Sequence, residues 1–490
     1  MGEVVTQFAL GFNKSVRIEA RQERITSETG ALLARDVLET LGVLSFLDKH
    51  LEDRRNPTQI THPLREMVAT AVLLKVLGWR DQDDADALRD DSAMRLSVSN
   101  RRGVGALLTR EPSKRDKDNN LKLPDGLASQ PTLSRMLGTL SSEGNREVLR
   151  DALIAMVGER IRKERRGHRI RHMALDIDSL PIAVEGHQPG SEYNGHYHER
   201  VFHPLVASIA ETGDIVDAQL RPGNVHTAQG ALDFILPLVD KLEQSVCQVA
   251  SIRMDAGFPE EKLLNGLESR AIPYVARVKN NKRLDTMAAP YLLPPDSSVF
   301  TDGADTWVHE LTYQAQSWSR PRRVVLVTQR REGELFLHHF WLITNWSAEQ
   351  LSGEALLQLY RQRGTAESIM GELMDVLDPA LSSCSRQKSH YRNAAPLTRY
   401  PAGDSFAINE ALLLLNLLAY ETMHALRLLI QKATHDAWSI KRLRERVLHV
   451  GARVLVHARA VTVVLERRAI RYWAPLLRQL QRLLGPVPAS

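Results

Sequence analysis

At 490 residues, with 43% hydrophobic and 25% charged residues, the chain has the composition of a folded globular protein and is too long for one compact core, so two to four domains are expected. Its 64 Lys and Arg against 59 Asp and Glu leave a formal charge of +5, compatible with a polyanionic partner without requiring one. Two cysteines, Cys247 and Cys384, exclude a disulfide framework and fit a reducing compartment; no charged start followed by an apolar core marks a leader, and the most apolar run, Ala411 to Ala419, falls short of the roughly 20 residues of a membrane span.

Residues 1–170 read as a helical N-terminal region, with apolar residues at helical spacing in Ala31 to Leu47, Leu64 to Leu77 and Asn145 to Ile161. Ser129-Gln-Pro-Thr-Leu-Ser-Arg-Met-Leu is a capped helix start. It is either an ordinary helix or the second helix of a helix-turn-helix, which would turn Ser134 and Arg135 toward phosphates. The acidic stretch from Asp81 to Asp91 lacks the glycine and spaced glutamate of a calcium loop and reads as a solvated helix start.

Residues 171–278 change to strand patterns. A strand ending near Asp178 precedes a polar loop, and Phe202 to Ala210 and Ile215 to Leu220 form a hairpin about Glu211-Thr-Gly-Asp214. The loop Arg221-Pro-Gly-Asn224 leads to a helix over Thr227 to Gln244, a strand ending at Asp255, a helix over Pro259 to Ser269 and a strand over Ile272 to Val278. Three strands, helix, strand, helix, strand is the order of a ribonuclease H-like core. This is an α/β fold whose mixed five-stranded sheet sets its first and fourth strands side by side and so brings together Asp178 and Asp255, 77 positions apart.

Residues 279–345 lose helical periodicity and read as a β-rich insertion; its tryptophans, Trp307, Trp318 and Trp341, are either core or a platform for an unpaired base. The core resumes in residues 346–431 with a single helix over Glu349 to Val376, a basic loop containing Arg386, Lys388, His390, Arg392 and Arg399, and a helix over Phe406 to Gln431. Residues 432–490 read as a helical C-terminal region.

The chemistry gathers in three carboxylates. Asp178 and Asp255 each end an apolar strand, and Glu367 shares a helical face with Tyr360 and Arg363. Hard divalent cations take carboxylate oxygen, and two strand-end aspartates with one helical glutamate are what a two-metal phosphodiester site requires. Asp176 competes with Asp178, since strand alternation puts both on one side; Asp178 is preferred because it lies at the strand's exit. His187, His196, His198 and His203 lack a cysteine or carboxylate at zinc spacing and read as loop or phosphate-contacting histidines. Basic runs at Arg160 to Arg171, Lys279 to Arg283, Arg320 to Arg323 and Arg442 to Arg446 flank these elements. No phosphate-binding Walker loop, dinucleotide-binding glycine pattern or nucleophile elbow supports NTP-driven, dehydrogenase or serine-hydrolase chemistry.

Leu175-Asp-Ile-Asp-Ser, Tyr193-Asn with His203-Pro-Leu, Leu220-Arg-Pro-Gly-Asn, Arg253-Met-Asp-Ala-Gly-Phe and Tyr360-Arg-Gln-Arg-Gly-Thr-Ala-Glu together resemble the DDE transposases of bacterial insertion sequences, in particular the thirteen-eighty group of the insertion-sequence-four-like superfamily. The resemblance implies that Asp178, Asp255 and Glu367 hold two Mg²⁺ or Mn²⁺ ions. It also implies that Tyr360, Arg363, Arg221, Asn224, Ser134 and Arg135 contact DNA, and that Trp341 holds a flipped base. The lysine of the Tyr-Arg-Glu-Lys signature is replaced by Met374. The implied activity is cutting at the terminal inverted repeats of the element and joining its 3′-hydroxyl ends to target DNA. The implied partner is double-stranded DNA, engaged as a homodimer in a cytoplasmic, nucleoid-associated setting without membrane. A ribonuclease H-like structure-selective nuclease and a catalytically silent DNA-binding regulator remain as alternatives.

Overall fold

Eight strands form one mixed sheet: β1 (His172–Ser179), β2 (Leu205–Ile209), β3 (Ile215–Gln219), β4 (Gln248–Met254), β5 (Tyr274–Val278), β6 (Asp305–Tyr313), β7 (Arg322–Arg330) and β8 (His338–Thr344), in the spatial order β6-β7-β8-β5-β4-β1-β2-β3. The computed structural model describes residues 7–10, 12–19, 23–80, 82–101, 103–107, 126–165, 172–184, 188–292, 305–330, 337–379, 381, 405–457 and 460–484. Arg166, Arg169 and Arg171 of the first basic run, His187, Cys384 and the basic loop at 382–401 lie outside these residues. β1 and β4 are parallel neighbours, as the element order predicts, with Asp176 opposite Arg253 and Ile177 opposite Met254. One step further come Asp178, still paired with Val206 of β2, and Asp255, the first residue past β4.

The sheet is wider than expected. The segment read as a separate β-rich insertion contributes β6, β7 and β8 to the same sheet, because β8 pairs antiparallel with β5 from Val275↔Thr344 to Val278↔Trp341. A five-stranded core therefore becomes eight-stranded. Pairing partners so distant in sequence carry no local signal, whereas the strand patterns themselves are legible.

Alternation assigns the two faces. On one, Met173, Leu175 and Ile177 of β1, Ile252 and Met254 of β4, and Trp341 and Ile343 of β8 pack with Ile154, Val157 and Ile161 of α1 (Glu143–Glu164), Phe234, Ile235 and Leu238 of α2 (Ala231–Ser245) and Leu263, Leu264 and Leu267 of α3 (Glu261–Ser269). On the other, Val275, Val325, Val327 and Leu342 pack with Leu356 and Leu357 of α4 (Gly353–Arg361). Burying each of those leucines stabilises the layer by about 1.5–3 kcal/mol. Asp176, Asp178 and Arg253 alternate with the first set and so belong to the α4 face.

The helix expected over Glu349 to Val376 is two helices, α4 and α5 (Gly364–Leu377). Between them, Arg363 N–H bonds Tyr360 O at 2.9 Å, Thr365 N–H bonds Gln362 O at 3.2 Å and Ala366 N–H bonds Arg363 O at 2.9 Å, each reaching back three residues rather than four. This tightened turn re-aims α5 over the strand ends. The long helix α6 (Ser405–Thr434) is apolar and long enough to cross a membrane, yet 89% of its apolar window is buried inside the protein, the placement of a core helix.

The chain forms two compact units that cut across chain order. One comprises Leu38–Ile60 and Ser134–Ala425 and contains the whole sheet. The other comprises Met1–Val37, Thr61–Leu133 and Leu426–Ser490. Neither terminal region is wholly helical. Gln7–Leu10 and Asn13–Glu19 form a hairpin, and Ile25–Thr26 pairs with Ala452–His457, which pairs in turn with Ala460–Leu465 ahead of α7 (Ile470–Leu484). The expected helix over Ala31 to Leu47 divides at Gly42, whose φ of 72° suits glycine and breaks the helical path. The expected helices over Leu64–Leu77 and near Asn145 to Ile161 are present.

Candidate active site

Asp178, Asp255 and Glu367 come from three elements, and two of them, Asp178 and Glu367, share one guanidinium, while Asp255 accepts from Gly257 N–H at 2.8 Å. Arg363 donates from Nη2 to Asp178 Oδ2 at 2.6 Å and from Nη1 to Glu367 Oε1 at 2.9 Å. Both Arg363 and Asp178 are largely buried, while the Glu367 side chain is 67% exposed. Burial pushes the Asp178 carboxyl up to about 6, opposed by the Arg363 charge and reinforced by the charges of Asp255 and Glu367. The three carboxylates thus lie within mutual electrostatic range, and the site carries more negative charge than one guanidinium neutralises.

Asp176 and Asp178 differ in burial and in partner. Asp176 is 2% exposed and paired in both directions with Arg253, 1% exposed, through Nε–Oδ1 and Nη2–Oδ2 contacts of 2.6 Å each. It is committed within the sheet, whereas Asp178 at the strand's exit faces the site.

Tyr360, at the end of α4, is half-buried; burial raises its hydroxyl pKa, with Asp255 and Glu367 adding to the rise and the nearby Arg363 and Arg277 opposing it. Tyr197 was not anticipated. Burial and then the charges of Asp178 and Asp255 raise its hydroxyl pKa, and its ring meets His203 edge-on at 5.8 Å. Its polar loop carries three histidines, His187, His196 and His198, and the tyrosine stands between the last two.

Several short motifs prove to be one interlocked support beside the site. Arg221 is buried and donates to His203 O at 2.9 Å, Thr227 O at 2.8 Å and Gln229 O at 2.7 Å, and burial pulls its pKa down to about 10. It ties loops together from a buried position, whereas the resemblance implied a contact with DNA. Asn194 donates to Gly223 O at 2.7 Å, and a Cβ at Gly223 would lie 2.0 Å from Val201 O, so that position accepts only glycine. Asn224 is exposed on the same loop, and Ser134 and Arg135 are exposed on the helix Gln130–Leu140.

Trp341 is 0% exposed and lies on the α1–α3 face, opposite the carboxylates. The odd-numbered parity of β8 sends it there, and this placement does not support the expected contact with a flipped base. Trp346, just past β8, is partly exposed and packs, as Tyr360 does, against the cluster of Val325, Leu342 and Leu356 on the carboxylate face.

Among the described residues, no three His, Cys, Asp or Glu side chains are grouped closely enough to hold a metal ion. Arg363 explains the spacing, since it stands between two of the three carboxylates. The donor chemistry nonetheless fits a hard divalent cation: all-oxygen ligands, excess negative charge and a cation already bridging Asp178 to Glu367.

No curated protein matches the chain. Among solved structures, a piggyBac transposase synaptic complex with hairpin DNA, determined by cryo-EM, is 13% identical, with a TM-score of 0.37 over 88% of this chain and 82% of that one. Residues 8–484 match the family described as transposase DDE domain, group 1, and the chain belongs to that family.

Proposed function

We propose that the chain is a DNA transposase of the thirteen-eighty group, built on a ribonuclease H-like core, that cuts at the terminal inverted repeats of its own element and joins the 3′-hydroxyl ends to target DNA. The observation that supports this reading is the pair of contacts that Arg363 makes with Asp178 and Glu367, with Asp255 following the strand that runs parallel beside that of Asp178. Those three carboxylates would hold two Mg²⁺ or Mn²⁺ ions. Bound there, such ions lower the pKa of an attacking water or 3′-hydroxyl and neutralise charge on the leaving oxygen.

The chain's own groups have distinct tasks. Arg363, once the carboxylates take a cation, is free to pair with a phosphate oxygen through its planar fork. Tyr360 and Tyr197 flank the carboxylates with hydroxyls able to hydrogen-bond the same phosphate. Asn224, Ser134 and Arg135 supply exposed polar contacts for the DNA backbone, and two protomers would pair the two ends of the element.

The test is cleavage of labelled duplexes carrying the DNA that flanks the gene, with Mg²⁺ or Mn²⁺, comparing wild type with Glu367→Gln. Because Glu367 is exposed, the substitution leaves the fold intact. Metal-dependent nicking at a repeat boundary, lost in the variant, is the expected result. Cleavage that follows DNA shape regardless of the repeat would indicate a structure-selective nuclease. Specific binding without cleavage would indicate a silent regulator, with Met374→Lys the first reversion to make.

A further inference from the structure

We infer that the buried Asp176–Arg253 pair is a positioning device that sets all three carboxylates in register, and that Arg253 acts on the site through the turn between α4 and α5. This rests on the transposase reading for its catalytic consequence, though not for its geometry.

The pair lies one layer beneath the site on the same face of the sheet. Asp176 precedes Asp178 by two residues on β1, and Arg253 precedes Asp255 by two at the end of β4, so each partner points as its carboxylate does. The bidentate contact, 2.6 Å on both arms, fixes the two strands against sliding at the point where the aspartates leave them. Arg253 then reaches a third element. Its Nη1 donates to Leu359 O at 3.1 Å and to Gln362 Oε1 at 3.4 Å. The Leu359 carbonyl needs such a donor, because in the tightened turn the Arg363 N–H goes to Tyr360 O. Leu359 and Gln362 bracket Tyr360, Gln362 adjoins Arg363, and one turn of helix beyond Arg363 stands Glu367. One guanidinium therefore links β1, β4 and the α4–α5 turn, the three elements that carry the site.

A pair serving only stability would be replaceable by apolar side chains of similar volume at little cost, since desolvating two charges offsets most of their attraction. The positioning role predicts a different outcome for Asp176→Leu/Arg253→Met and for Arg253→Lys, which keeps the charge but lacks the fork that reaches three partners. Hydrogen exchange at amides 360–367 should accelerate about tenfold in both variants, while β1 and β4 stay protected. Mn²⁺ affinity, read by calorimetry without DNA, should weaken about 10–100-fold, the range for losing a group that orients metal ligands. In cleavage, kcat should fall with KM for DNA unchanged. Wild-type exchange in residues 360–367 in either folded variant would overturn the inference, as would wild-type Mn²⁺ affinity with wild-type kcat. If the double variant does not fold, Arg253→Lys decides alone. A wild-type protein that neither binds Mn²⁺ nor cuts would reject the transposase reading, and the exchange measurement would still decide the clamp.

Discussion

At the scale of single residues, Arg363 sets the state of the site. Its guanidinium stands where a cation is needed, between Asp178 and Glu367, and it opposes the rise that burial imposes on Asp178. Arg363→Ala removes that cation and leaves a buried carboxylate without its partner. In chelator, the variant should lose about 1–3 kcal/mol, the scale of a hydrogen bond to a charged group, with protonation of Asp178 limiting the loss. Added Mn²⁺ should then raise the melting temperature of the variant more than that of wild type, since metal restores what the guanidinium supplied. An equal Mn²⁺ shift in both proteins would show that Arg363 does not occupy the cation position. Trp341 is the opposite case: its sequence neighbourhood suggests a functional aromatic, and its surroundings make it a core residue. Trp341→Ala should cost about 3–5 kcal/mol in denaturant unfolding, the range for deleting a buried large aromatic side chain. A variant of wild-type stability would overturn this assignment.

At the scale of elements, what could be read from the sequence depended on how local its cause was. β1 and β4 were legible because each is an apolar run that stops at an aspartate, and their order with the intervening helix specified parallel neighbours. The break between α4 and α5 was not, because Arg361-Gln-Arg are good helix formers and the turn is fixed by Arg253, a residue more than a hundred positions away. The joining of β8 to β5 was equally hidden, being a matter of register between distant segments. The hairpin of Ala452–His457 and Ala460–Leu465 is different: Val454, Val456, Val461, Val463 and Val464 are β-formers, and that signal was present but overridden by the helical patterns on either side. Of the candidate site, the carboxylates were legible as strand-end and helical positions. Alternation treats Asp176 and Asp178 alike, and their different arginine partners, Arg253 and Arg363, lie too far along the chain to be read from it.

At the scale of the sheet-containing unit, buried charge ties α1, the β2–β3 turn and α6 together. Arg160 on α1 donates from Nε to Asp214 Oδ1 at 3.0 Å, His424 lies 3.8 Å from the same oxygen, and Glu421 accepts from Ile215 N–H at 2.8 Å. Burial, then the charge of Asp214, pushes the Glu421 carboxyl well above its ordinary range, which favours the protonated form as a donor toward Asp214. The sign follows from linkage. A carboxyl that binds its proton more tightly folded than unfolded gives stability that is complete below the unfolded pKa and is lost as pH climbs through the folded one. Glu421→Gln keeps a donor toward Asp214 and an acceptor for Ile215 but has no proton to release. Relative to this variant, wild type should lose about 1.4 kcal/mol per pH unit across the window between the two pKa values, and nothing below it. Urea unfolding of both proteins from acid to alkaline pH reads the difference directly, because every other titrating group is common to the two. Diverging curves place the proton on Glu421 and make this network the part of the core that alkali weakens first; curves that stay parallel throughout would mean that Glu421 is ionised in the folded protein, with Arg160 and His424 sharing two charges rather than one.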